Sequence, residues 1–380
     1  MPSPLSAITA DLIRFKSIDA PGSRDEVKRV MAYVVGRLRK LSGVFVEQWA
    51  AKGNPVLMIT FRPRHKQPTL LLHGHLDVVP AEESQFSPKQ RSGRLYGRGA
   101  MDMKGGCAVM IALIEHFAKQ SKRPDVGFIF VGDEETTGAG AQFVLKKGIR
   151  PGFFVTVEPT AFELITETKG ILWMEGVIPG KAAHGSMPWL GKNPVERFHQ
   201  NLKKFYASFP PLKKKAWKTT CNIGMVKSGD CPNRTPADFT FDLDIRYLPE
   251  DDPKKIMQRI KACFPGAAWK VRKFDPPHQK PWGKKWIQRI QRAGRTAGVK
   301  IRTGRAPYAT DARFFSAAGV DSVVLGATGK NMHGKDEWVD VKSLETLFAI
   351  LKNILRPLGQ KMIMGGIKKV NAIRENFKIG

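Results

Sequence analysis

Residues 69–80 read TLLLHGHLDVVP, and this stretch decides the fold. The run from Thr69 to Leu72 is typical of a buried strand, because it is short, continuous and largely apolar. His73, His75 and Asp77 follow at alternate positions, so in an extended chain their side chains point to one side. A buried strand that ends in imidazoles and a carboxylate predicts a polar site at one edge of a sheet.

Strand and helix patterns alternate around this stretch. The order predicts an α/β fold with a mostly parallel sheet covered by helices. Apolar runs predict strands at 44–49, 56–61, 126–131 and 153–157, and helical periodicity occurs at 4–16, 24–41 and 104–120.

The middle of the chain has a different pattern, in which the elements follow the order β-α-β-β-α-β. This order is typical of a small separate domain, so we predict one inserted at 168–277. The larger domain would then consist of 1–167 and 278–358, followed by a basic tail at 359–380. Residues 274–282, FDPPHQKPW, resemble a linker.

The composition is that of a globular protein apart from its charge. The 63 Lys and Arg against 34 Asp and Glu give a formal net charge of +29 over 380 residues. This charge is spread along the chain, with one cluster, PPLKKKAWK, at 210–218. Binding of nucleic acid or another anion to the basic surface stays an alternative function of a different class. We expect no nucleic-acid partner, because no motif of a nucleic-acid-binding fold is present.

Targeting and redox signals are weak. The residues MPSPLSAITADLIRF lack the pattern of a signal peptide, and no run of about 18 apolar residues predicts a membrane span. We therefore expect a cytoplasmic protein without a membrane partner. The cysteines have no CxxC spacing, so we expect neither a disulfide framework nor a cysteine zinc site; they are Cys107, Cys221, Cys231 and Cys263.

Further polar residues follow other predicted strands. Several carboxylates at one rim would repel one another unless a cation lay among them. Histidines with several carboxylates are a ligand set suited to zinc or a similar divalent ion, and about five ligands favour two ions. The candidates beyond the opening stretch are Asp102, Asp133, Glu134, Glu135, Glu158 and His333.

Eight stretches, in order along about residues 5–358, resemble the zinc-dependent aminoacylase/carboxypeptidase family. This family includes acetylornithine deacetylase, succinyl-diaminopimelate desuccinylase, aminoacylase and bacterial glutamate carboxypeptidase. The resemblance implies a three-layer zinc-exopeptidase-like catalytic domain with an inserted ferredoxin-like dimerisation or lid domain. The stretches are GHLDVVP (74–80), GRLYGRGAMDMKGG (93–106), GDEETTG (132–138), EPT (158–160), GKAAHGSMPWLGKNP (180–194), NRTPADFTFDLDIR (233–246), ATDARFF (309–315) and MHGKDEWV (332–339).

The resemblance also implies a centre of two divalent ions, with Zn²⁺ expected and Co²⁺ or Mn²⁺ as alternatives. The family pattern gives the first ion two ligands of its own, the second ion two, and both ions one bridging carboxylate. The implied ligands are His75 and Glu158 for the first ion, Glu135 and His333 for the second, and Asp102 as the bridge.

Catalytic roles follow from the same resemblance. Glu134 would act as general base towards the water that bridges the ions, and would return the proton to the leaving amine. Asp77 would hydrogen-bond the imidazole of His75 and fix its tautomer. His73 has no role as a ligand in the family pattern, so we expect it to be structural.

The inserted domain would contribute to substrate binding. His184 resembles the family histidine that reaches the site of the partner subunit and stabilises the tetrahedral oxyanion. Arg246 would bind the substrate's α-carboxylate, since a guanidinium can hold a carboxylate through two hydrogen bonds. Asn233 would position the substrate, and 309–313, ATDAR, would close near it. A homodimer through this domain is therefore expected.

The predicted activity is hydrolysis of an amide bond in an N-acyl amino acid. A carboxypeptidase or dipeptidase acting on short peptides is the alternative within the family, because the motifs do not determine the pocket walls. A relative that has lost catalysis is opposed by the complete set of ligand-type residues and Glu134.

Overall fold

A computed structural model describes residues 3–20, 24–214, 216–279, 281 and 283–356. The predicted tail at 359–380 lies outside these residues, as do residues 280 and 282 of the predicted linker. The helices are α1 Pro4–Ile13, α2 Arg24–Leu38, α3 Gly105–Ala118, α4 Ala139–Lys146, α5 Pro194–Ser208, α6 Pro253–Cys263, α7 Lys284–Thr296, α8 Ala312–Ala317 and α9 Val341–Leu355.

Two sequence features mark the start of α1, α5 and α6. Ser3, Asn193 and Asp252 each accept a hydrogen bond from a backbone N–H of the first turn, and each is followed by proline at the start of its helix. Such a cap pairs an N–H group that the helix leaves free, and proline has no N–H to lose there. Among the described residues, none of these helices is long and apolar enough to cross a membrane.

The strands are shorter and more numerous than the sequence patterns indicate. They are β1 Phe45–Ala51, β2 Asn54–Thr60, β3 Leu70–His75, β4 Lys89–Arg91, β5 Arg94–Tyr96, β6 Val126–Val131, β7 Phe154–Thr156, β8 Leu164–Thr168, β9 Gly170–Pro179, β10 Ala183–His184, β11 Thr220–Ser228, β12 Arg234–Thr235, β13 Asp238–Tyr247, β14 Ala268–Asp275, β15 Thr303–Ala306, β16 Ser322–Val324, β17 Gly329–Lys330 and β18 Trp338–Asp340.

The chain forms two compact units. The second unit consists of Glu167–Gln279 together with Ala306–Ala309, and the first unit contains the described residues on either side. The sequence predicts an insertion at 168–277 and does not predict that 306–309 belongs with it. The predicted linker also starts too early, because β14 continues to Asp275.

The first unit is built on a large sheet. In the described part of the chain this sheet has eight strands in the order β1-β2-β6-β3-β7-β16-β8-β15. Its central strands β6, β3, β7 and β16 run parallel, and β1, β2 and β8 extend it in antiparallel pairings. The predicted α/β class with a mostly parallel sheet is confirmed. Because parallel strands end at the same edge, the residues that follow β3, β6 and β7 lie together.

The core of the first unit covers both faces of β3. Leu70 and Leu72 belong to a large buried cluster formed mainly with residues of α1, α2, α3 and α9. His73 packs against Phe154 of β7, and Phe154 stacks on Phe315 of α8. Helices therefore pack on both faces of the sheet, as predicted, and the sheet holds the end of β3 in a fixed position.

A second, small sheet lies in the first unit and was not predicted from the sequence. Its strands follow the order β17-β18-β5-β4, with Trp338 opposite Tyr96. The loop 97–104 leaves β5, and the loop 331–337 joins β17 to β18. The small sheet therefore brings two distant motif segments side by side.

The second unit has the predicted order of elements, β9-α5-β11-β13-α6-β14. Its sheet has the strand order β11-β13-β9-β14 with antiparallel pairings, which is the ferredoxin-like arrangement. Helices α5 and α6 supply Phe198, Phe205 and Ile260 to a core that includes Phe241 and Leu243 of β13. This unit therefore has a hydrophobic core of its own.

Candidate metal centre

His75 stands at the end of β3, almost fully buried, with carboxylates on both sides. Its Nε2 lies 3.2 Å from Oδ1 of Asp102 and 3.8 Å from Oε1 of Glu158. Its Nδ1 lies 3.0 Å from the backbone oxygen of Asp77 and 3.5 Å from the carboxylate Oδ1 of that residue. One ring nitrogen therefore faces the candidate ligands, and the other contacts Asp77 mainly through the main chain.

Asp102 lies between the two histidines. Its Oδ1 faces His75, and its Oδ2 lies 3.1 Å from Nε2 of His333. The same Nε2 of His333 is 3.3 Å from Oε1 of Glu135. The peptide bond after Asp102 is cis. Each oxygen of this carboxylate is thus directed at a different imidazole.

The predicted ligand residues are brought together in the first unit. Candidate ligand atoms of His75, Glu134 and Glu158 all lie within 4.8 Å of one another, and so do those of His75, Asp102 and Glu135. These two groups differ from the predicted division into ions, because Glu134 shares a group with Glu158 and His75 belongs to both.

The turn after β6 is fixed by hydrogen bonds. The carboxylate of Asp133 accepts the N–H groups of Ala139 and Gly140, which lie at the start of α4. Oδ2 of Asp77 accepts the N–H of Glu135 at 3.0 Å. The turn therefore directs Glu134 and Glu135 to the site, and Asp77 holds both this turn and His75. Helix α4, which the sequence patterns did not predict, provides the anchor.

The pKa values of the histidines move upwards. Burial alone would lower the pKa of His75, but hydrogen bonds to Asp102 and Asp77 and the charge of Glu158 raise it well above its usual range. Hydrogen bonds to Asp102 and Glu135 raise the pKa of His333 to about 10. The surrounding carboxylates thus favour positive charge at both imidazoles.

The carboxylates respond in two ways. Burial raises the pKa of Glu134, and the charge of Asp311 adds to this, so the pKa lies well above its usual range. Burial also raises the pKa of Glu158. Burial works in the same direction on Asp102, but hydrogen bonds to His333 and His75 outweigh it and lower its pKa. Crowded carboxylates thus compete for positive charge.

The donor set fits divalent ions. Within the described residues, Oδ1 of Asp77 and Oε1 of Glu135 are buried and lack a short, well-aligned hydrogen bond; their contacts with His75 and His333 measure 3.5 and 3.3 Å. Buried oxygens of this kind are costly unless a cation or another donor satisfies them. Imidazole and carboxylate ligands, three of them at least nine-tenths buried, match the preferences of Zn²⁺ and similar ions.

His73 lies away from this cluster. Its Nδ1 is 3.0 Å from Oγ1 of Thr156, and its Nε2 is 3.1 Å from Oδ2 of Asp311. Both ring nitrogens are therefore engaged in buried hydrogen bonds, which agrees with a structural residue. Asp311 belongs to the ATDAR stretch, so part of that stretch packs against β3.

Charged residues to which the sequence assigned no individual role also border the site. Nη1 of Arg313 lies 3.8 Å from Oε1 of Glu134 and 3.7 Å from Oδ1 of Asp311. Arg98 and Glu337 form a buried ion pair of 2.6 Å. Arg98, Arg313 and Glu337 lie inside the motif stretches. Their charge within a glycine-rich or apolar stretch was the only sign in the sequence that they have a role. Their partners could not be read from the sequence.

The remaining predicted residues lie in the second unit. His184 is exposed on β10, and its Nδ1 is 2.8 Å from Oγ of Ser186. The backbone oxygen of Asn233 accepts the N–H of Gly185 at 2.7 Å, so Asn233 lies beside His184. Arg246 donates two hydrogen bonds to Asp244 on its own strand, at 2.7 and 3.1 Å. The guanidinium predicted to bind substrate thus already has a carboxylate partner.

Comparison with known proteins agrees with the fold and the donor set. The sequence profile of peptidase family M20/M25/M40 matches residues 71–356. The chain belongs to this family. Its members depend on metal ions, and the protein is therefore a metallo-hydrolase that acts on amide bonds.

Individual M20 relatives differ in activity. The chain is 30% identical to acetylornithine deacetylase of Proteus mirabilis, over 73% of this chain and 76% of the relative. It is 27% identical to succinyl-diaminopimelate desuccinylase of Polaromonas naphthalenivorans, over 77% and 78%.

Solved structures share the fold at lower identity. An M20 metallo-carboxypeptidase of Sulfolobus solfataricus, Sso-CP2, has a TM-score of 0.76 at 20% identity and covers 93% of this chain and 99% of its own. The YxeP protein of Bacillus subtilis, described as a dinuclear metal binding peptidase, has a TM-score of 0.66 at 13% identity and covers 92% and 96%.

Proposed function

We propose that this M20 protein hydrolyses the amide bond of an N-acyl amino acid, in the manner of a deacetylase or desuccinylase, with two divalent ions. The observation that carries the proposal is the position of Asp102, whose two oxygens face His75 and His333 separately. A carboxylate between two sets of ligand-type side chains suits a pair of ions. The similarity to deacylating relatives supports the substrate class.

The residues would divide between the ions as the family resemblance implies. His75, Glu158 and Asp102 would hold the first ion, and Asp102, Glu135 and His333 the second. Zn²⁺ is the proposed ion, with Co²⁺ and Mn²⁺ as alternatives. When bound, the ions would supply positive charge that acidifies water and polarises the amide carbonyl.

Glu134 is the proposed general base. Its side chain lies near His75 and Glu158 without belonging to the proposed ligands. It accepts a proton from the attacking water and then donates it to the leaving amine, so one carboxylate serves both halves of the reaction. Arg313, at 3.8 Å, stabilises the ionised form of Glu134 while burial opposes it. Asp77 fixes the orientation of His75.

The second unit would supply substrate contacts. His184 is exposed and free to approach a ligand, and as the partner subunit's His184 it would stabilise the oxyanion. Asn233 lies next to it and would position the substrate. Arg246 would bind the substrate's carboxylate. To do so it would either release Asp244 or hold both carboxylates at once.

A hydrolysis screen tests the substrate class. N-acetyl and N-succinyl amino acids and dipeptides would be offered to the protein with added Zn²⁺ or Co²⁺. We expect turnover of an acylated amino acid to exceed that of every dipeptide, and EDTA to abolish it. Turnover of dipeptides alone would favour the carboxypeptidase or dipeptidase alternative, to which the fold similarity with Sso-CP2 lends support. No turnover in any arm would contradict amide hydrolysis.

A homodimer through the second unit is also proposed. Strand β11 is an edge of its sheet, and Met225 and Val226 on it are 69% and 58% exposed. An exposed apolar edge strand offers free backbone groups for pairing with another strand.

The edge strand gives a direct test of the dimer. Met225→Lys should halve the molar mass measured by light scattering after gel filtration, because a charge would be buried in the paired edge. Val271→Lys, on the opposite edge strand β14, is the matched control and should stay dimeric. A wild-type protein with the mass of one chain would overturn the dimer.

A further inference from the structure

The carboxylate of Glu337 lies inside the loop that carries Asp102. Its Oε1 accepts the N–H groups of Met101 at 2.9 Å and of Asp102 at 3.1 Å. Its Oε2 accepts the N–H of Gly99 at 3.1 Å and Nη1 of Arg98 at 2.6 Å. Four donors thus converge on one buried side chain.

Gly99 makes this geometry possible. Its φ is +79°, in the left-handed region that L side chains rarely adopt, and a Cβ there would lie 2.8 Å from Cγ1 of Val78. The loop can therefore fold around Glu337 with its N–H groups directed inwards. The acceptor that the loop requires comes from a residue more than 230 positions away.

Arg98, which pairs with Glu337, also contacts the segments that contain Pro80 and His333. Its Nη2 donates to the backbone oxygen of His333 at 3.0 Å and to that of Pro80 at 3.4 Å. Pro80 ends the stretch that carries His75 and Asp77, and His333 is a proposed ligand. One guanidinium therefore joins three segments, its own loop and the two that it contacts, and each of them supplies side chains to the metal centre.

We propose that Arg98 and Glu337 are a positioning pair that sets the distance between Asp102 and His333. Glu337 binds the backbone of Asp102 itself, and Arg98 binds the backbone of His333 itself. The two side chains they control meet at 3.1 Å. This inference rests on the proposed function, because the position of these two residues matters most if they bind an ion together.

The ion pair suits this task better than an apolar contact would. A guanidinium and a carboxylate fix several directions at once, whereas apolar packing does not. Breaking the pair would leave one buried charge without a partner, so each half holds the other in place. Residues that orient metal ligands in this way commonly change metal affinity by about 10–100-fold when mutated.

Arg98→Lys and Glu337→Gln test the pair. Lysine keeps the positive charge but lacks the second NH₂ group that donates to the backbone oxygen of His333. Glutamine keeps the shape of glutamate but has no negative charge. We expect each variant to bind one of the two ions at least about tenfold more weakly by calorimetry. We also expect the visible spectrum of the Co²⁺-loaded protein to change, since it reports on the arrangement of the ligands.

The matched control is Leu351→Ala in α9, which removes a fully buried side chain away from the loops. It should lower the unfolding temperature and leave ion affinity and the Co²⁺ spectrum unchanged. If Arg98→Lys and Glu337→Gln behave like this control, the positioning role is overturned. If the wild-type protein binds no divalent ion, the proposed function fails, and this inference with it. If Glu337→Gln does not fold, Arg98→Lys alone decides by the same two measurements.

Discussion

The Glu134→Gln variant should retain both ions and lose most of its activity, with kcat falling by about 10²–10⁴-fold. Glutamine matches glutamate in shape, so the neighbouring His75 and Glu158 can keep their positions. It cannot accept a proton from water at neutral pH, and that is the step assigned to Glu134. Steady-state kinetics and the metal content of the purified variant would be measured together.

The neighbour of Glu134 provides a sharp comparison. Glu135→Gln should lose one ion as well as activity, because Glu135 contacts His333 and is a proposed ligand. Glu83→Gln, at a site where the side chain is 78% exposed, should behave like the wild type. Near-full activity of Glu134→Gln would contradict the general-base assignment. Loss of an ion from that variant would show that Glu134 is a metal ligand.

Asp102→Asn should abolish activity and leave the purified protein with less than one ion per chain. The substitution replaces one carboxylate oxygen by an NH₂ group, which has no lone pair to offer a cation. The asparagine could therefore not bind the ion beside His75 and the ion beside His333 at the same time. His333→Ala, by contrast, removes a ligand from one position only and should keep about one ion. Elemental analysis after dialysis against metal-free buffer would give these ratios.

A carboxylate close to His333 in sequence serves as the control for this second experiment. Asp336→Asn lies in the same loop, where the side chain is exposed, and should keep two ions and full activity. Two ions in Asp102→Asn would show that this residue does not bridge the centre, and the proposed arrangement would have to be abandoned.

The sequence was most informative where local pattern and sheet geometry agree. The apolar run before His75 predicted β3, and the rule that parallel strands end at one edge predicted that His75, Glu134 and Glu158 would meet. Each of these inferences needs only a strand of ordinary length and its position in the order of elements. The second unit was predictable for the same reason.

Contacts that depend on very short strands could not be predicted from the local pattern, and Asp102 was placed with His333 only through the family resemblance. The strands β5 and β18 have three residues each, too few for any periodicity, yet their pairing brings Asp102 to His333. The same holds for Arg98 and Glu337, whose charges are visible in the sequence while their contact is not. The pairing of Arg246 with Asp244 was overlooked, although their alternate spacing on one strand places both on one face.

The pairing of β5 with β18 also determines when the centre can form during protein synthesis. Five of the proposed metal and proton-transfer groups have been synthesised once Glu158 is made, but the loop around Asp102 still lacks Glu337. Until residues 333–340 emerge, the nascent chain has neither the second imidazole nor the carboxylate that shapes the loop. The proposed metal centre can therefore be completed only after residues 333–340 have been made.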